Sequence, residues 1–259
     1  MNYLLLVEGN KTEINIFSEV LKNYGFNVSV EGQVKKYNDI ELDIKELTNS
    51  NNSNIIICQA PRNRLNDLLN YYKKDMVDLD KMFGDSANYF NGIFLLFDVD
   101  HTSNDDLEEI FSIHNEETKN GLLLVSSPCI EIMSEPNRTE VLKVDHIRKY
   151  KHKRNSYFCD ELKLGYGTEK YIIDHFDELS LRFLDKNYKE FHAENIMEHP
   201  YSIIKKINSE NIRNKDEVIY RYFTTVVYVA IANIHGLTKM IDNYDNVRKF
   251  FLKKMRSKL

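Results

Sequence analysis

The stretch that most constrains this chain is Gly92 to Asp100, GIFLLFDVD, an apolar run that ends in two carboxylates one residue apart. Bounded by Asn91-Gly92 and by His101-Thr102-Ser103-Asn104, such a run is predicted to be a strand buried on both faces, as in a parallel sheet. Asp98 and Asp100 fall at its C-terminal end, and the two-residue period of a strand points both to the same side. Two carboxylates so close repel each other unless a cation or a proton lies between them, which makes them candidate ligands of a divalent metal. The alternative is local: Asp98 caps the following turn and Asp100 the helix after it.

A second strand, Tyr3 to Val7, delivers Glu8 to its C-terminal end; Gly9 turns the chain, and Thr12-Glu13 opens a helical pattern. Ligands of open α/β sheets gather outside the carboxyl ends of the strands, so Glu8 joins Asp98 and Asp100 as a candidate site residue. VEGNKTE followed by LLFDVD resembles the two signatures of the Toprim domain, the metal-dependent catalytic module of topoisomerases, primases and several nucleases. The resemblance covers about residues 1–135. It implies an α/β fold with a Toprim-like parallel sheet flanked by helices, Mg²⁺ or Mn²⁺ as cofactor, and Glu8, Asp98 and Asp100 as catalytic and metal-binding residues. Asn10 and Lys11 place Glu13 five residues after Glu8, one more than in the V-E-G-x-T-E form of many Toprim nucleases and similar to an E-G-x-K-T-E form.

Strands are further expected at Phe26–Val30, Asn54–Cys58 and Gly121–Val125, and helices at Lys11–Tyr24, Lys35–Leu47, Arg64–Met82 and Leu107–Thr118. Strands and helices in alternation imply a parallel sheet with right-handed crossovers. After GLLLV comes Ser126-Ser127-Pro128-Cys129-Ile130-Glu131. Pro128 suits the first position of a helix with Ser127 as N-cap, which puts Glu131 in the opening turn, where the helix dipole alone would favour an acid. SSPCIEIM also resembles the S-N-P-C-F-E segment of RloB-like Toprim proteins, a group linked to bacterial defence, with Ser127 and Ile130 in place of Asn and Phe. On that resemblance Glu13 and Glu131 are additional candidate metal ligands.

Pro136-Asn137 marks the expected boundary between a catalytic domain, 1–135, and a mainly helical, basic region, 136–259. The first part carries 11 Lys and Arg against 23 Asp and Glu, a net of −12, and the second 24 against 17, a net of +7. An acidic part with metal carboxylates and a basic part suit a phosphate-containing polymer. Lys149, Lys151, Lys153 and Arg154, interleaved with Tyr150 and His152, are the candidate nucleic-acid-binding residues; a charge run of this kind also serves as a plain solvated face. Thr168–Phe183 and Asp216–Ile234 are expected to be helices, the latter including a buried apolar stretch from Thr224, and Asn246–Leu259 a basic one. That stretch is far short of the roughly 20 residues that span a bilayer. Three scattered cysteines give neither a disulfide framework nor a zinc ribbon. A cytoplasmic location without a membrane association is expected.

The resemblance implies a nuclease that hydrolyses phosphodiester bonds of DNA or RNA, tRNA included, as an effector of anti-phage defence. The expected partners are nucleic acid, an ATPase of the defence system and further copies of the chain. Two other classes fit parts of the sequence. LLFDVDHT partly matches the D-x-D-x-T signature of haloacid-dehalogenase-type phosphatases, with Asp98 as nucleophile and Asp100 as acid/base. A Toprim-like scaffold that binds nucleic acid or a protein without catalysis is the third.

Overall fold

A computed structural model describes residues 1–9, 11–34, 53–76, 78, 82–83, 89–99, 102–116, 118–127, 129–135, 142–144, 147–156, 165, 167–191, 213–214, 217–220, 223–225 and 244–256. The chain has an α/β fold built on a mixed, mainly parallel sheet. Its strands are β1 (Asn2–Val7), β2 (Asn27–Gln33), β3 (Asn54–Gln59), β4 (Gly92–Asp98), β5 (Asn115–Glu116), β6 (Gly121–Ser127) and the short β10 (Phe223–Thr224). They run in the order β10-β6-β4-β1-β3-β2, with β5 pairing to β6. By compactness the chain divides into one unit of 1–98 and 102–124 and a second of 99–101 and 125–259.

In the first unit β2, β3, β1 and β4 are parallel, with Leu5 opposite Ile57 on one side and Phe94 on the other. β1 and β4 have the continuous apolar character of strands covered on both faces, and Leu4, Leu5, Leu6, Leu95 and Phe97 are almost wholly buried. β2 is mostly exposed along its length, as suits its place at the end of the strand order. Helix α1 (Thr12–Asn23) buries Ile16, Phe17, Val20 and Leu21, a stripe at helical spacing. It stops in a Schellman motif: Gly25 N–H donates to Lys22 O and Phe26 N–H to Leu21 O, and Gly25 takes the left-handed φ of 85° that this ending requires. Helix α2 (Leu65–Lys74) buries Leu65, Leu68, Leu69 and Tyr72. It is shorter than the helix expected over Arg64–Met82, because Met76 adopts a φ of 48° that no α-helix accommodates. Helix α3 (Asn104–Ile113) also ends early, and the chain enters β5. The helix expected over Lys35–Leu47 lies outside the described residues.

In the second unit a 3-10 helix, Ile130–Ser134, follows β6. Ser127 is the last strand residue rather than a helix N-cap, and Cys129 stands at the helix entry with an extended φ of −159°. Then come β7 (Leu142–Val144), α4 (Ile147–Ser156), α5 (Thr168–Phe191), β8 (Arg213–Asn214), β9 (Glu217–Tyr220) and, after β10, α6 (Tyr244–Arg256). α5 buries Ile172, Phe176, Leu179 and Phe183 and is kinked at His175, whose Nδ1 approaches Tyr171 O at 3.0 Å.

Beyond residue 135 the described residues are mainly helical, as expected, but two segments expected as helix are strand. Glu217–Tyr220, placed in a helix by its apolar content, is the middle strand of the three-stranded antiparallel sheet β7-β9-β8. Val218, Ile219 and Tyr220 are strand-favouring residues, and pairing with Leu142–Val144 decides the outcome. The expected buried helix from Thr224 likewise begins as strand. Phe223 and Thr224 pair antiparallel with Ser127 and Ser126, and the Thr225 hydroxyl accepts from Val125 N–H at 2.9 Å; residues 226–234 lie outside the described ones.

Candidate functional site

Parallel pairing brings the C-terminal ends of β3, β1 and β4 to one edge of the first unit. The register continues past the strands: Ala60 N–H donates to Val7 O at 2.8 Å, and Glu8 N–H to Leu96 O at 3.0 Å. Glu8 and Asp98, 90 positions apart in the sequence, meet here. A Glu8 carboxylate oxygen, Oε2, accepts the backbone N–H of Asp98 at 2.8 Å. That bond ties the side chain at one strand end to the backbone at the next and fixes the Glu8 rotamer. Asp98 is 5% exposed, a degree of burial that a carboxylate rarely reaches without a partner.

Glu13, in the first turn of α1, is also buried. Its carboxylate lies over Gly9, where a Cβ would stand only 1.9 Å from Glu13 Oε2. Gly9 thus does more than turn the chain after Glu8: its lack of a side chain makes room for the acid of the next helix. Asp100 lies outside the described residues. In the first unit the structure therefore gives Glu8 and Asp98 a direct link, and Glu13 a seat against the residue that follows Glu8.

Glu131 belongs to the second unit, in the 3-10 helix. Its Oε2 is buried and among the described residues accepts no hydrogen bond; the Lys151 ammonium lies 3.6 Å away, an ion-pair distance. Cys129 Sγ and a Glu131 carboxylate oxygen lie within 4.8 Å of each other. Asp98, Cys129 and Glu131 are all buried, and each offers an atom of a type that ligates metals. The sequence treated Cys129 as an isolated cysteine; the signal for it was the Cys-x-Glu spacing after a strand end.

Helix α4 carries Lys149, Lys151, Lys153 and Arg154, and two of the four have carboxylate partners. Arg154 pairs with Glu135 at 2.7 Å, with both side chains largely buried, and donates from Nε to Ser134 Oγ at 3.2 Å. Tyr150 Oη donates to the same Glu135 carboxylate at 3.1 Å. Arg154 therefore anchors α4 to the end of the 3-10 helix. The side chains of Lys149 and Lys153 lie outside the described residues.

The donor set bears on the choice of metal. Carboxylate oxygens suit hard cations such as Mg²⁺ and Mn²⁺, whereas the Cys129 thiol favours a softer ion. A buried carboxylate oxygen without a hydrogen bond, as in Glu131, has the desolvated lone pairs that a cation or a donor would satisfy. Comparison with family models, curated proteins and solved structures finds no match to this chain. Among the described residues no helix is long and apolar enough to cross a membrane.

Proposed function

We propose that the protein is a metal-dependent nuclease that hydrolyses phosphodiester bonds, with Mg²⁺ or Mn²⁺ held by Glu8, Asp98 and Asp100; Glu13 and Glu131 are the further candidate ligands that the resemblance names. The observation that carries this reading is the Glu8–Asp98 link, because it ties the Glu8 carboxylate to the strand end that carries Asp98, at the edge where open α/β sheets bind ligands. When bound, the metal would orient the phosphodiester and offset the negative charge that develops on it. Asp98 would supply a buried oxygen ligand. Glu8, held by the Asp98 amide, would ligate the metal or move the proton of the attacking or leaving oxygen. The Toprim resemblance of VEGNKTE and LLFDVD and the RloB-like SSPCIE segment support an effector role in anti-phage defence, with an ATPase partner, self-association and a cytoplasmic setting.

The phosphatase alternative assigns Asp98 as nucleophile but gives Glu8 no task, although Glu8 is bonded to Asp98. The experiment is single-turnover incubation of end-labelled DNA, RNA and tRNA with Mg²⁺ or Mn²⁺. Parental protein should cleave at least one of them, chelator should stop it, and Asp98→Asn should leave no activity. Turnover of a small phosphate monoester with polymers untouched would instead favour the phosphatase, and metal binding without any turnover the scaffold.

A further inference from the structure

If two cations of α4 are spent on carboxylates, the acidic first unit needs its own means of holding a polyanion beside Glu8 and Asp98. The loop after β3 and the start of α1 supply it. Both leave the sheet at the same edge as Glu8: Gln59 is opposite Val7 in the register, and Ala60 bonds to Val7 O. Arg62 follows Ala60 by two residues, within about 7 Å of chain, and Lys11 follows Glu8 by three. Arg64 closes the loop. Lys11, Arg62 and Arg64 are all exposed, and among the described residues none of them makes an ion pair.

Other cations of this unit are used differently. Lys22, Lys73 and Lys119 pair with Glu19, Glu109 and Glu116. Lys74, without an ion pair, sits in the last turn of α2, where a cation complements the helix dipole. Lys11 and Arg64 have no such local reason. They occupy the N-cap positions of α1 and α2, make no capping hydrogen bond, and place positive charge at the end of each helix that disfavours it. By contrast, α3 starts with Ser103, whose hydroxyl accepts from Asp106 N–H at 3.2 Å. The loop is also held in shape. Arg62 donates to Pro61 O at 2.7 Å with its guanidinium 4.6 Å from the centre of the Tyr71 ring, and Gln59 donates to Asn63 Oδ1 at 3.1 Å.

We propose that Lys11, Arg62 and Arg64 form the surface on which the phosphodiester backbone of a nucleic acid docks, beside the Glu8–Asp98 edge. The inference rests on the nuclease reading for its partner and goes beyond it in moving the contact surface from α4 to the first unit. Non-sequence-specific recognition follows from the chemistry, since three cations on a loop and a helix start read phosphates and carry no code for bases.

The test is fluorescence anisotropy with a labelled 20-nucleotide DNA and the matching RNA, in chelator to suppress cleavage, over a range of salt. Lys11→Ala/Arg62→Ala/Arg64→Ala should bind at least about tenfold more weakly than the parent, and its log K against log[salt] slope should be shallower by about two to three, one unit or slightly less for each lost phosphate contact. Lys149→Ala/Lys153→Ala, which spares the Glu135–Arg154 anchor, should lose less. Parental binding retained in the triple variant, or a larger loss in the α4 variant, overturns this proposal and leaves the nuclease reading intact. No binding by the parent to either polymer overturns both. A melting curve of the triple variant close to the parent's ties the loss to charge, and a collapsed one is met by repeating the titration with Arg62→Lys/Arg64→Lys, which should bind near the parental level.

Discussion

Replacing Glu8 by Gln and, separately, by Ala distinguishes a carboxylate that holds the fold from one that serves chemistry. In the folded chain Glu8 Oε2 accepts the Asp98 amide at 2.8 Å. Ala deletes the acceptor and leaves that N–H without its partner at a largely buried strand end, which should cost about 1–3 kcal/mol. Gln keeps an oxygen in the same place. It loses only the ionic part of the bond, about 1 kcal/mol, and removing a negative charge beside Asp98 offsets some of that in metal-free protein. Gln should therefore melt within about 2–4 °C of the parent, with Ala lower. Function should divide otherwise. Neither variant offers a carboxylate to a metal or a base to a proton, so both should lose about 10²-fold or more in single-turnover cleavage. The assays are calorimetric melting and quench-flow cleavage on the same preparations. If Gln restores both the melting temperature and the rate, Glu8 is only a hydrogen-bond acceptor and its place in the site is refuted.

Other consequences follow from particular contacts. Arg154→Ala strands the buried Glu135 carboxylate and should destabilise the protein by about 3 kcal/mol in urea titration, whereas Lys151→Ala, a more exposed and longer pair with Glu131, should cost less than about 1 kcal/mol. Gly9→Ala should push the Glu13 carboxylate from its seat and reduce cleavage with little change in the urea midpoint, because the atom that must move is the end of a flexible side chain. His114 is wholly buried, and burial pulls its pKa down from 6.5 to about 4. Its Nδ1–H donates to Asn120 O at 2.5 Å, so Nε2 accepts from Tyr72 Oη at 2.8 Å in the neutral ring. The unfolded chain binds this proton more readily, so stability present above pH 6.5 should fall as the pH drops towards 4, by up to about 3 kcal/mol. Urea midpoints at intervals between pH 7 and 4 should show this fall, and His114→Gln should show a smaller one.

The apolar strands β1, β3, β4 and β6 were legible because continuous burial leaves a continuous apolar run, and α1 because its stripe is followed by Gly25. What failed were segments whose fate is decided by distant partners. Glu217–Tyr220 has apolar content compatible with either state, and pairing with β7, more than 70 positions away, as well as with the neighbouring β8 makes it a strand. Helix α2 ends where Met76 turns left-handed, which no residue type at that position announces. At the candidate site the acids Glu8 and Asp98 could be named from strand ends, but the bond between them involves a backbone amide, and backbone partners leave no trace in residue identity. The α4 cations illustrate the same limit: a run of Lys and Arg reads as free charge until Glu135 and Glu131 are seen opposite Arg154 and Lys151.

The central claim, that acids gathered by the sheet edge hold a divalent ion, is tested most directly by titrating Mn²⁺ into the metal-free full chain and following free Mn²⁺ by electron paramagnetic resonance. Parental protein should bind Mn²⁺ and release it to excess Mg²⁺. Asp98→Asn should bind at least about tenfold more weakly, even where its melting temperature without metal equals or exceeds the parent's, since the substitution relieves carboxylate repulsion. Equal binding by parent and Asp98→Asn, or no binding by the parent, would contradict the claim.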